Sequence, residues 1–476
     1  MEVQTDTKPK VQLEQRNKSI RKQKLIHSLL DMDFSLKSRD TAGKIIELYT
    51  VFLLFIYPLF LLKDESMGMS VKMLLFYAIT VSVLLASILL SMEQHFTFRR
   101  PEGMLDYTVA ALAGLNLLMV PVKLLQGRGD YVQNLLAVAL AVCFYILSCG
   151  FVFYHYYIDL FLFSGAVVLI QLLVHYTIQP AYGKPVALLL EDSHAFACFM
   201  LLLAFTAGTE YLGGRQKEND MFYLTIAGVS FFLLFISQNR TAFLLGLLGA
   251  TLLPLLFPYT AEQMKRGVIF LFLYLFLYSN MSLIAGYSGI LRTEVNFLLM
   301  DSVYLDLFMA IAGVVFFSWW DRLALKEPLE QVELPIAGKL WKTCAAAEVL
   351  LFGIMIFGGK RLAELGSDFG KSLGNFGMAA LGELSGGRNF FLESAERTGI
   401  IGMFFAVALW IFLAEQIWKG KRKDAEPALK IGVLLYLLCS PFLGMKETTA
   451  PLFLVFTAYA LYEQKERSLG PPYPKK

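Results

Sequence analysis

The sequence predicts an all-α, polytopic integral membrane protein with about 12–14 transmembrane helices and one larger external loop. Three observations predict it. Hydrophobic residues make up 57% of the 476-residue chain and charged residues only 17%. The mean hydropathy is +0.57, the balance of a membrane protein and not of a soluble globular one. About fourteen apolar runs approach the roughly 20 residues that a bilayer crossing needs. Finally, Lys and Arg divide unequally between alternate connecting segments, as they do in membrane-spanning chains.

Residues 1–44 are polar and basic, with no secretory leader ahead of the first apolar run near Ile45. Within them, IRKQKLIHSLLDMDF puts Ile26, Leu30 and Phe34 on one helical stripe among basic residues. A basic amphipathic helix on the cytoplasmic leaflet and a frayed polar tail both fit this segment. The transmembrane domain is expected over 45–462, with spans at 45–62, 70–92, 105–125, 132–153, 157–178, 194–212, 221–237, 241–257, 267–285, 301–320, 340–357, 399–418, 429–443 and 448–462. Residues 463–476 form a short tail. No internal repeat is evident. The net charge of +3 gives no reason to invoke nucleic acid.

Fourteen spans and a cytoplasmic N-terminus put 29 of the 42 Lys and Arg residues, span-flanking ones included, on the inside and 13 outside. This excess follows the positive-inside rule and places both termini in the cytoplasm. The main external segment is then 358–398. Leu365, Phe369, Leu373, Phe376, Ala380 and Leu384 share one helical stripe there, beside Gly366, Gly370, Gly374 and Gly377. That spacing predicts a short amphipathic helix over 365–384, lying on the outer surface. The five cysteines, Cys143, Cys149, Cys198, Cys344 and Cys439, have neither metal-ligand nor disulfide-framework spacing and read as small buried hydrophobes.

Arg240 interrupts two apolar runs in ISQNRTAFLLGLLGATLLPLLF and falls at the external end of a tight helical hairpin. An arginine so placed is a functional candidate by default; the bland alternative is a side chain that snorkels to the interface. Asn389 suits a helix N-cap, and Gly399 and Gly402 suit close helix packing. Arg388 also fits an interfacial anchor, His194 a satisfied helix-end histidine, and Arg292 a solvated loop charge. Few charges fall within spans; Asp159, Asp306, Glu348 and Glu415 are the main ones.

SQNRTAFLLGLLGATLL resembles the S-x-x-R segment of the bacterial O-antigen ligase and O-antigen polymerase superfamily. RNFFLESAERTGIIGMFF resembles its His-Asn-x(9)-Gly-x-x-Gly signature, with Asn389, Gly399 and Gly402 in register and Arg388 where the ligases carry histidine. LEDSHAFACFMLLLAF resembles that superfamily's D-P-N-x-x-A approach to a middle helix, with His194 at the asparagine position. The resemblance covers roughly 190–465. It implies a metal-independent glycosyltransferase, without cofactor, on the outer face of the bacterial cytoplasmic membrane. Its donor would be a polyprenyl-pyrophosphate-linked oligosaccharide and its acceptor a saccharide, in O-antigen, capsule or exopolysaccharide assembly. A membrane lipid, and a chain-length regulator and flippase of the same pathway, are the partners it implies.

The chemistry wants the same residue types. Charge builds on a lipid pyrophosphate as it leaves, and an arginine fork can hold its oxygens in bidentate fashion. Arg240 and Arg388 are the catalytic candidates on that side, with Arg292, Asn389, Lys360 and Arg361 as substrate-binding candidates. Arg388 cannot accept a proton, so the base is sought in His194 or in Glu383, Glu393 and Glu396, with Glu393 carried forward. The loss of the ligase histidine favours a polymerase over a ligase. A lipid-linked oligosaccharide flippase is the competing class; it calls for mid-membrane charge around a central cavity and for repeated halves.

Overall fold

A computed structural model describes residues 41–60, 69–93, 96, 98–101, 103–149, 153–178, 193–214, 217–237, 239–280, 303–324, 332–364, 378, 389–418, 426–443 and 449–462. The described residues contain fourteen principal helices and no β-strand. They are α1 (Thr41–Leu59), α2 (Met69–Met92), α3 (Met104–Leu125), α4 (Tyr131–Ser148), α5 (Tyr156–Ile178), α6 (Ser193–Gly213) and α7 (Asp220–Ile236). There follow α8 (Arg240–Leu252), α9 (Ala261–Ser279), α10 (Val303–Ala324), α11 (Pro335–Glu364), α12 (Phe390–Trp418), α13 (Pro427–Phe442) and α14 (Ala450–Tyr462). Eight are long and apolar enough to cross a membrane, and three shorter ones are apolar. The chain therefore has the architecture of an all-α polytopic membrane protein.

Helix α6 has no marked polar face and is correspondingly the innermost element, buried throughout residues 195–212. Helices α2 and α3 instead leave Leu85, Leu89, Leu117 and Leu118 exposed, as lipid-facing helices do. Small residues set the closest approaches. A Cβ on Gly249 of α8 would lie 2.4 Å from the Phe205 ring of α6, and one on Gly432 of α13 would lie 2.4 Å from Cβ of Phe456 on α14. In α1, a π-helical turn at Phe52–Ile56 directly precedes Pro58, which has no N–H for the regular ladder. Ser164 of α5 donates to the Phe55 carbonyl at 2.8 Å.

Polar contacts sort the helix ends into two sets. Tyr462 at the end of α14 bonds Asp106 at the start of α3, and Arg99 pairs with Asp106. His155 before α5 meets Glu210 near the end of α6 and Glu426 before α13. Arg266 in α9 bonds the Tyr211 carbonyl at 2.6 Å and pairs with Asp220 of α7 at 2.9 Å. These groups define one end of the bundle, the Arg266 end. At the opposite end Asn134 of α4 bonds Asn116 of α3 at 3.0 Å, and Ser279 of α9 bonds Asp306 of α10 at 2.6 Å. Arg240, which opens α8 after α7 has risen from Asp220, lies at that second end.

Several expectations need correction. Gly399 does not serve close packing: an added Cβ would meet nothing within 4 Å, and the residue sits at φ 76°. It kinks α12 into 390–398 and a longer spanning part, so the helix begins nine residues before the expected span. Helix α11 likewise runs to Glu364, and both termini of the expected 358–398 loop are helical. Cys344 is exposed, unlike the other four cysteines. Asp159 and Asp306 lie in first turns, and Glu415 is near the end of α12, so of the four only Glu348 is well inside its helix. Segment 365–384, apart from Met378, and the basic stripe at 26–34 lie outside the described residues.

Candidate functional site

The N-terminal part of α12 is built by its cap. Asn389 Oδ1 accepts from the Leu392 N–H at 2.8 Å, fixing the first turn. One turn on, Glu393 and Arg397 stand at i and i+4 and pair at 3.5 Å, both side chains largely buried. The Arg397 carbonyl accepts from Asn134 Nδ2 at 3.4 Å, which ties this short helix to α4. Gly399 then turns the chain at a positive φ, where an L side chain is disfavoured. Gly402 packs beneath the preceding turn; a Cβ there would lie 1.6 Å from Thr398 Oγ1.

Between this segment and α3, α4, α13 and α14 lies a cavity of about 130 Å³, partly open to the outside. Leu112, Leu140, Phe144 and Leu454 give it an apolar wall, while Asn116, Glu393, Ser394 and Arg397 form a polar corner. An apolar wall with a few convergent polar groups is the usual build of a small-molecule site. The dimensions compare with an engineered cavity of about 150 Å³ that admits a benzene-sized guest.

Arg240 is the first residue of α8 and half-buried. Asn239 caps the helix, accepting from the Ala242 N–H at 3.0 Å. A cation at a helix N-terminus opposes the helix dipole, at about 0.3–1 kcal/mol. The same place is favourable for an anion, which the arginine and the helix-end N–H groups attract together.

The structure brings the described candidates to one end of the bundle. His194 is the second residue of α6, half-buried, and Lys360 and Arg361 are exposed in the last turn of α11. They lie at the same end as Arg240, Asn389 and Glu393. Glu393 is the only one of these six on the cavity wall among the described residues. Arg292 and Arg388 lie outside the described residues. Sequence reasoning missed Arg397, Asn116 and Asn134. For Arg397 the signal was present: Glu393-x-x-x-Arg397 is an i,i+4 ion-pair spacing shortly before a glycine.

The Arg266 end carries a different cluster. His155 donates from Nδ1 to Glu426 at 2.8 Å and faces Glu210 through Nε2 at 3.3 Å. Burial pushes the imidazole pKa down, but the hydrogen-bonded Glu210 and Glu426 carboxylates outweigh this and raise it to about 10. The ring engages a carboxylate on either side, so the trio reads as an imidazolium bridge joining α5, α6 and the start of α13. Arg266 makes a second tie, with Glu262 at 3.0 Å besides Asp220.

No family model, curated protein or solved structure matches the chain. The fold and the cavity define its class as a polytopic membrane protein with a partly apolar pocket at one end of its bundle.

Proposed function

We propose that the protein is a glycosyltransferase of the outer face of the bacterial cytoplasmic membrane, polymerising or transferring a polyprenyl-pyrophosphate-linked oligosaccharide. The observation that carries this reading is the cavity, with its apolar wall and its guanidinium–carboxylate corner at the Arg240 end. A donor of this class has both characters: an isoprenoid chain that wants an apolar surface and a pyrophosphate that wants arginine. The positive-inside rule assigns the Arg240 end to the outside, where lipid-linked saccharides are joined. Arg240 at the N-terminus of α8 holds the leaving pyrophosphate. Fixed donors aimed at developing charge are often the largest catalytic contribution. The motif resemblance over 190–465 supports the same chemistry, and the missing ligase histidine favours polymerisation.

The test is polymer length and amount in cells lacking the native copy and complemented with variants of verified abundance. Arg240→Ala should lower output by roughly 30- to 1000-fold, the loss of about 2–4 kcal/mol of transition-state stabilisation. Arg240→Lys keeps the charge without the fork and should fall between. Normal chains from well-expressed Arg240→Ala would refute the catalytic role of this arginine.

A further inference from the structure

The cavity has a shape that its apolarity alone does not explain. Its lining residues on α3, α4 and α14 run from Val109 to Asn116, from Ala137 to Phe144 and from Ala450 to Thr457, two helical turns on each helix. Two turns rise ~10 Å. The cavity of about 130 Å³ is therefore a slot drawn out along the bundle, with room for a single hydrocarbon chain. Asn116 stands at its Arg240 end, in the polar corner with Ser394 and Arg397. Val109, Phe144 and Thr457 stand at its foot, toward the Arg266 end. There the Phe144 ring packs edge-on against Tyr462, with centroids 6.0 Å apart.

The α4 wall of this slot is not smooth. Ala137 and Ala141 line it one turn apart, alternating with the larger Leu140 and Phe144. The two small side chains leave hollows ~6 Å apart along the helix. An isoprenoid chain carries one methyl branch per unit, a repeat of ~5 Å on the bond lengths of an extended carbon chain. A straight acyl chain carries none. We propose that the slot seats the two isoprene units of the donor nearest its pyrophosphate, and that Ala137 and Ala141 select an isoprenoid over a straight acyl chain by receiving its methyl branches. This inference rests on the proposed glycosyltransferase activity and names the part of the donor that the cavity reads.

A slot of ~10 Å takes roughly two such units, which leaves the pyrophosphate at the polar corner. The cavity is partly open, and the remaining units of a long polyprenyl chain pass out through that opening into lipid. The hollows matter because every bilayer offers acyl chains in excess. Those chains are as apolar as the donor's, so a smooth apolar slot would stay filled with them. A straight chain leaves the hollows empty, and a void too small for water loses its contacts outright. Two buried methyl groups, each contributing about as much as a buried methylene, give the isoprenoid about a 10-fold advantage.

The distinguishing experiment measures binding to the purified full-length protein in nanodiscs, with geranyl pyrophosphate, n-decyl pyrophosphate and inorganic pyrophosphate as probes. The two organic probes have equal carbon number, so they enter lipid comparably and differ in branching and unsaturation. Wild type should bind geranyl pyrophosphate about 10-fold more tightly than n-decyl pyrophosphate, and inorganic pyrophosphate most weakly. Ala137→Val and Ala141→Val each fill one hollow and should each cut the preference to about 3-fold; together they should abolish it. The ratio is taken on one sample, so partial misfolding does not imitate the change, and the wild-type ratio decides even where a variant fails to fold. Equal binding of the two organic probes by wild type would mean a smooth slot open to any lipid chain, and would overturn the proposal. So would geranyl pyrophosphate binding no tighter than inorganic pyrophosphate, or a full preference surviving both substitutions. If the preference holds while well-expressed Arg240→Ala polymerises normally, the slot stands and the catalytic reading of Arg240 falls. If Arg240→Ala is inactive and the preference is absent, only the slot falls.

Discussion

Arg240 and Gly399 are the residues where local rules are broken, and both breaks fall at the same end of the molecule. The arginine stands against a helix dipole. The glycine holds φ 76° within a helix that would otherwise run straight through. An alanine at Gly399 has room, since nothing lies within 4 Å of its Cβ, so its penalty is purely conformational, about 1–3 kcal/mol. Gly399→Ala should therefore lower the midpoint of thermal unfolding modestly and reduce polymer output by more than that loss of fold explains, because relaxing the kink moves Glu393 and Arg397 together. A change in stability with no change in output, measured on matched samples, would make the kink a matter of fold alone. The residue scale was also where the sequence was most legible. Motif spacing singled out Arg240 and Asn389, and Glu393 entered only as one of several external carboxylates; nothing in it pointed to Asn116 or Asn134, whose partnership spans 18 positions and is made only by packing.

Among the elements, the fourteen helices fall on the fourteen expected apolar runs, because burying or solvating an apolar stretch of that length leaves few other solutions. What periodicity could not supply was depth. Nothing in its composition marks α6 as central beyond its lack of a polar face, and the carboxylates of Glu47 and Glu210 are buried only because another helix or its flank supplies a partner. The His155 bridge shows what such partnerships contribute. Its folded pKa, about 10, lies above the ordinary value of 6.5. The stabilisation is thus fully present below pH 6.5 and is lost as pH rises through about 10, on the order of a few kcal/mol. Glu210, Glu426 and Asp159 surround the ring, with Tyr223 beside Asp159 and Glu210. Unfolding midpoints followed from about pH 7 to about pH 10.5, the window in which the imidazolium loses its proton, should fall more steeply for wild type than for His155→Gln. Parallel curves would show that the bridge contributes nothing.

For the whole molecule, the arrangement of helix ends makes orientation a single binary question. Helix α11 answers it cleanly, because Lys339 and Lys360 lie near its opposite ends, both exposed. In a cysteine-free background, a membrane-impermeant thiol reagent applied to intact spheroplasts should label Lys360→Cys and spare Lys339→Cys. The reverse pattern would invert the protein and place the cavity in the cytoplasm. The ion pairs described above that join one helix to another, through His155 and Arg266, share the end expected to face the cytoplasm. Among the described residues, the ties at the other end include the Asn134 and Ser279 hydrogen bonds and pairs local to one stretch of chain, such as Lys123 with Asp130 and Glu393 with Arg397. Removing the one ring at His155 would therefore unpin three helices at a stroke, as drawing a single rivet frees every plate it passes through.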